Sequence, residues 1–163
     1  MHRNAEKVLS AAHELGLDIV VRTFPDGTST AADAAAAVGA TVDRIVKSLV
    51  FLRDERPDQP VLALVAGCDR LDESKLAATC GVATVGRADA DLVRAATGYP
   101  IGGVPPFGHP RPLPTFVDHR LLDQDEVWAA AGTPRDVFAV DPTRLRVAVD
   151  AEAADLAEDR EGA

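Results

Sequence analysis

The stretch Gly98-Tyr-Pro-Ile-Gly-Gly-Val-Pro-Pro-Phe-Gly-His109 restricts the backbone more than any other part of the chain. Glycines stand at 98, 102, 103 and 108, and prolines at 100, 105 and 106. Glycine permits positive φ and lets other backbone come close, while proline fixes φ and removes an N–H donor. Together they specify a loop of one shape, with few side chains in the way and some amides left to point at something. Tyr99, Ile101, Val104 and Phe107 lie between the breakers, so the loop is expected to pack against the body of the protein. Taken alone, the stretch reads as a structural multi-turn connection before it reads as a ligand-facing wall.

The remaining punctuation divides the chain into short elements. Val8, Leu9, Ala12 and Leu15 recur at helical spacing over residues 4–16, which end at Gly16. A strand is predicted from Asp18 to Phe24, then a turn at Pro25-Asp-Gly27. Ser29 or Thr30 can cap a helix from Ala31 to Val38, and Gly39 ends it. The run Ile45-Val-Lys-Ser-Leu-Val-Phe-Leu52 is the strongest strand signal, and Val61–Ala66 pairs with it across a polar loop. Helices are predicted over 71–80 and 89–97, each followed by glycine. Thr115–Val117 and Asp136–Val140 read as strands, Asp123–Ala131 as a turn or helix, and a last helix starts at Asp141-Pro142. Irregular alternation with hairpins implies an α/β fold, a compact single domain whose mixed, mostly antiparallel sheet is surrounded by helices. Residues 1–149 form that domain. Residues 150–163 are expected to be an acidic, flexible C-terminal tail.

Charge narrows the function classes. The net charge is −9 over 163 residues. Six acids against one base give the tail −5, and residues 1–149 carry the other −4. An acidic surface argues against nonspecific nucleic-acid binding, DNA included, although local contact with an RNA end needs no basic stripe. No apolar run reaches the ~18 residues of a membrane span, and the charged start Met1-His-Arg-Asn-Ala-Glu-Lys7 is unlike a secretory leader. Membrane association is therefore not expected, and a cytoplasmic setting is. Cys68 and Cys80 form no CxxC pair, so both are expected to be free thiols.

Lys47 stands out chemically. On a strand, Ile45, Lys47, Leu49 and Phe51 share one face, and Val46, Ser48, Val50 and Leu52 the other. The lysine then projects among apolar neighbours, where desolvation lowers its pKa. Only Lys7, Lys47 and Lys75 are lysine, against 14 arginines, and the two are not interchangeable. Snorkelling to solvent is the bland alternative. His109, after the glycine loop, can act as a general base or serve structure. No GxSxG elbow, P-loop, GxGxxG or metal-ligand spacing occurs.

With the strand and the loop both in view, the sequence resembles the YbaK/ProX-type aminoacyl-tRNA deacylases, the family that also supplies the editing domain inserted in bacterial prolyl-tRNA synthetases. The carrying residues are Thr30-Ala-Ala-Asp-Ala-Ala-Ala-Ala-Val-Gly39 with Ile45–Phe51, then Thr97–His109, then Val127-Trp-Ala-Ala-Ala-Gly-Thr-Pro-Arg-Asp136. The likeness covers roughly residues 5–147. It implies hydrolysis of the ester joining a wrong amino acid to the tRNA 3′ end, with no metal or cofactor. Lys47 matches the family's central lysine, and Gly102, Gly103 and Gly108 match the loop lining its substrate pocket. Phe24 falls near an aromatic beside that pocket. Thr30, which opens the first block, and His109, which closes the second, complete the implied substrate-binding set. A serine that many members carry before the glycine of the third block is missing from Ala129-Ala-Ala-Gly132.

An aminoacyl ester is already activated, so positioning and oxyanion donors are enough. Backbone N–H groups of Gly102, Gly103 or Gly108 suit the second task, and on that view Gly103→Ala harms activity more than stability. Val104, Pro106 and Phe107 are expected to bound a pocket for a small side chain. The implied partners are the aminoacyl-tRNA 3′ end and an aminoacyl-tRNA synthetase. A non-catalytic tRNA- or synthetase-binding module and a small-molecule ester hydrolase are the competing readings.

Overall fold

The computed structural model describes residues 1–160. Helix α1 (Arg3–Glu14) buries Ala5, Val8 and Ala12 along one face. Strand β1 (Val21–Thr23) follows, much shorter than the predicted 18–24. Helix α2 (Ala31–Val38) begins where the Thr30 hydroxyl accepts the Asp33 N–H, and it closes on Gly39. A 3-10 turn (Val42–Arg44) leads into β2 (Val46–Arg53), which pairs antiparallel with β3 (Pro60–Ala66). Helix α3 (Glu73–Cys80), strand β4 (Val85–Arg87) and helix α4 (Ala90–Thr97) come next. Asp72 and Asp89 cap the two helices by accepting the Lys75 and Leu92 N–H groups. After the glycine–proline loop come β5 (Thr115–Asp118), α5 (His119–Leu122), β6 (Val127–Ala130), β7 (Asp136–Val140), α6 (Pro142–Ala148) and β8 (Glu152–Ala154).

The strands form two sheets. One has the order β4-β2-β3-β5-β8, the other β1-β7-β6. All pairings are antiparallel except β3 with β5 and β5 with β8. An isolated bridge between Ile45 and Trp128 is where the sheets meet. The α/β class and the mixed, mostly antiparallel pairing agree with the sequence reading. The division into two sheets was not anticipated, because Val127–Ala130 read as helix. Alanine-rich composition favours helix locally, yet these residues pair with Val137–Val140 of β7, and that pairing decides their conformation.

The faces of β2 and β3 separate as period-two alternation requires. Val46, Val50, Leu52, Leu62 and Leu64 join Val8, Ala12, Val104, Phe107 and Phe138 in one core. Phe51, Val61, Ala63 and Val65 join Leu71, Leu76, Phe116 and Leu156 in a second. Strand β3 is buried on both faces, which explains its unbroken apolar run.

The expectation of a flexible tail is corrected for residues 150–160. Strand β8 adds to the sheet beside β5, and Leu156 and Ala157 are completely buried. Its acids find cations on other elements: Lys75 Nζ lies 3.1 Å from Asp155 and 3.2 Å from Asp159. Acidic composition reads as a flexible tail, but the counter-charges come from distant sequence. Residues 161–163 of that expected tail lie outside the described residues. No described helix is long and apolar enough to cross a membrane.

Candidate active site

Strand β4 pairs only with Phe51, Leu52 and Arg53 of β2. The first half of β2 therefore keeps one edge unpaired until Ile45 meets Trp128. Backbone groups alternate between the two edges of a strand. Ile45 O accepts from Gly67 and Arg53 N donates to Gln59, both on the β3 side, whereas Val50 O accepts from Ala88 on the other. By that alternation the Ser48 amide and carbonyl face the open edge. A cavity of about 220 Å³ occupies the gap. It is lined by residues 45–50 of the strand region, by Ile101, Gly102 and Val104 of the loop, by residues 28–31, and by Trp128, Ala129 and Ala130 of the second sheet.

Lys47 lines this cavity and is half-buried. Its Nζ donates to the backbone carbonyl of Asp69. Burial pushes the ammonium below the ordinary lysine pKa. Asp69 and Cys68 oppose that shift, and Arg87 and Arg70 add to it. Arg87 also lines the cavity.

The loop contributes less than its glycine content suggests. Gly102 lines the cavity at φ 87°, a left-handed conformation that favours glycine, and a Cβ there would lie 3.1 Å from Ser29 Cβ. No described backbone acceptor takes its N–H. Gly103 differs. Its N–H donates to Pro100 O at 2.9 Å, and its carbonyl accepts the Gly132 N–H at 2.9 Å. It is spent on structure and supplies no free oxyanion donor. Gly108 and His109 lie in a separate shallow groove against α1, where a Cβ on Gly108 would meet Ala11 Cβ at 3.0 Å. His109 Nε2 is 2.9 Å from Pro105 O, and burial lowers its pKa. Thr30 lines the cavity while its hydroxyl caps α2. Phe24 does not line the cavity, but Arg22 stacks over its ring at 5.1 Å and over Trp128, which does, at 5.5 Å.

Of the sequence-predicted site, Lys47, Gly102 and Thr30 thus come together, while Gly103, Gly108, His109 and Phe24 stand outside the lining. Val104 is on the wall, but Pro106 and Phe107 are not; Phe107 packs on Phe138 in the core. Ala131, which precedes Gly132, is fully buried away from the cavity, so a hydroxyl at that position would not face it. Sequence reasoning missed Ser48, Arg87 and Trp128. Ser48 lines the cavity with a buried hydroxyl that has no hydrogen-bond partner among the described residues. The available signal was a lone hydroxyl in an apolar strand run.

A family model described as the aminoacyl-tRNA editing domain matches residues 25–148, a span holding both the open strand edge and the glycine loop. The chain belongs to that family. The editing domain is similar over nearly its whole length to a solved structure of a proposed trans-editing enzyme for prolyl tRNA synthetase. The two share 42% identity, with a TM-score of 0.90, over 98% of this chain and 99% of that one. It is 31% identical over 125 residues to the uncharacterized protein YwhH of Bacillus subtilis, covering 77% of this chain and 78% of that one. It is 32% identical over 130 residues to the proline–tRNA ligase of Nitratidesulfovibrio vulgaris, covering 80% of this chain but 22% of the ligase. The editing domain thus corresponds to a small part of that much longer relative.

Proposed function

We propose that this editing domain hydrolyses the ester of mischarged aminoacyl-tRNA in the cytoplasm, acting on tRNA that a prolyl-tRNA synthetase has misacylated. The observation that carries the reading is the cavity at the open edge of β2, where Lys47 and the uncommitted Gly102 amide line one space. Water adds to the ester carbonyl, the bond from that carbon to the ribose oxygen breaks, and the ribose oxygen takes a proton. Negative charge develops on the carbonyl oxygen, and fixed donors in a partly dry site stabilise it without reorganising. Gly102 N–H is suited to that task, with the Lys47 ammonium supplying positive charge to the terminal ribose, its phosphate or the oxyanion. The space is small beside the ~300–1,000 Å³ of ordinary ligand pockets. Val50, Val93, Val104 and Ala129 wall it, which favours a small aminoacyl side chain.

The test is a deacylation screen of tRNAs charged with Ala, Ser, Cys and Thr, with Lys47→Ala as control. Turnover of at least one substrate is expected, falling about 100-fold or more in Lys47→Ala, the scale seen when one transition-state donor is lost. Near-wild-type turnover in Lys47→Ala refutes the assignment. Binding in gel shift with no hydrolysis of any substrate replaces it with the binding-module reading.

A further inference from the structure

Lysine carries its charge on a flexible four-carbon stem, and fixing it costs rotamer entropy. A lysine that must present its ammonium at one point needs a rigid acceptor. Here the acceptor is the carbonyl of Asp69, in the loop after β3. That loop is held from the C-terminal side of the chain. Asp72 N–H donates to Leu156 O at 2.8 Å, Glu158 N–H donates to Arg70 O at 2.7 Å, and Leu71 bridges to Ala157. The Asp69 side chain, itself 2% exposed, accepts two bonds from Arg160, at 2.9 Å from Nε and 3.0 Å from Nη2. Arg120 Nη1 lies 3.0 Å from the same carboxylate.

We infer that Arg160 and Arg120 hold Asp69 as a positioning device for Lys47, which makes the C-terminal strap part of the deacylation machinery. The inference rests on the deacylase reading of the cavity. Its chemical content lies in which oxygen takes the lysine. Two guanidiniums give the Asp69 carboxylate three donors, and the Lys47 ammonium binds the neutral backbone carbonyl instead of closing an ion pair. An ammonium has three donors. One is used on Asp69 O, and the others stay available to substrate. A lysine captured by a bare, buried carboxylate would be locked away and its charge cancelled. Arg160 is a positioning residue in this scheme. It lines no part of the cavity.

The charged and titratable groups around Lys47 are Asp69, Arg70 and Cys68 from the loop and Arg87 from β4. Arg160 Nη2 also reaches Cys68 Sγ at 3.4 Å. Replacing Arg160 with a neutral residue takes a positive charge from this cluster and two of the three donors from the carboxylate. Both changes favour the protonated lysine.

The experiment compares Arg160→Gln, Arg160→Lys and Lys75→Gln. Lys75→Gln cuts another charged tether of the strap, to Asp155 and Asp159, without touching Asp69. With only three lysines in the chain, ¹³C-lysine labelling resolves the Lys47 titration by NMR. Single-turnover deacylation is measured on the same proteins, each shown folded at the assay temperature. Arg160→Gln is expected to lower the rate about 10- to 100-fold, the scale of a small misplacement in a reacting site, and to raise the Lys47 pKa. Arg160→Lys is expected to recover part of both, and Lys75→Gln to change neither. Arg160→Gln that leaves the rate within twofold and the Lys47 titration unmoved overturns the inference. So does Lys75→Gln reproducing both effects, which would reduce the strap to general stability. If Lys47→Ala keeps full activity, the deacylase reading of Lys47 fails instead, and the Lys47 titration in Arg160→Gln still reports whether the strap acts on it.

Discussion

Gly103→Ala separates the structure from the simplest reading of the glycine loop. A Cβ built on Gly103 falls 2.8 Å from Thr133 Cα and 2.9 Å from Thr133 C and N. All three atoms are backbone, so no side chain can rotate away and one of the two segments must move. Overpacking of this kind costs about 1–3 kcal/mol. The movement also strains the bond from Gly132 N–H to Gly103 O, worth about 1 kcal/mol. In a domain of this size each kcal/mol shifts Tm by about 2–4 °C, so a loss of about 5–15 °C is expected. Differential scanning calorimetry of Gly103→Ala against wild type gives the value. Gly86→Ala is the control, because a Cβ there meets only the flexible Glu55 side chain, at 2.9 Å from Cγ. Below the new melting point the variant should retain most deacylation, since the Gly103 N–H is already given to Pro100. A Gly103→Ala protein that melts with wild type but has lost activity would refute this reasoning and restore the oxyanion role.

Two further outcomes follow from buried polar groups. Ser48→Ala removes a buried hydroxyl that has no partner among the described residues. Relief of about 1 kcal/mol is expected, which thermal melts should show as a Tm raised by about 2–4 °C; a lower Tm would mean that the hydroxyl is satisfied. His109 has a folded-state pKa depressed by burial. The unfolded chain then binds the extra proton, so this contribution is intact above the ordinary histidine value of ~6.5 and is lost as pH falls below it. Melts between pH 8 and 5 should show His109→Gln losing less stability on acidification than wild type, and parallel curves would exclude the effect.

Much of the frame was legible because it is local. Thr30 and Gly39 bracket α2, Asp89 and Gly98 bracket α4, and the apolar runs of β2 and β3 form a hairpin. Lys47 was legible as a cation among apolar neighbours. What escaped depends on pairing across long separations. Val127–Ala130 becomes a strand only because β7 lies beside it. The acidic end becomes a strand because β5 offers an edge, and because Lys75 and Arg70 take up its carboxylates. The loop's glycines looked alike in sequence, and only their neighbours distinguish them: cavity for Gly102, the Thr133 backbone for Gly103, helix α1 for Gly108. Trp128 joins the site because two sheets abut at Ile45, a junction that no local pattern encodes.

The short pairing of β4 has a consequence for how this scaffold can diverge. The cleft exists because a ladder stops three residues along β2, so beside Lys47, Ser48 and Arg87 part of its polar lining is main chain that no side-chain substitution deletes. Val50, Val93, Val104 and Ala129 can meanwhile change size and redraw the volume of the space. Shape and hydrogen-bonding capacity are therefore inherited separately. A lineage can drift in the group this space admits while the amides at the strand edge remain.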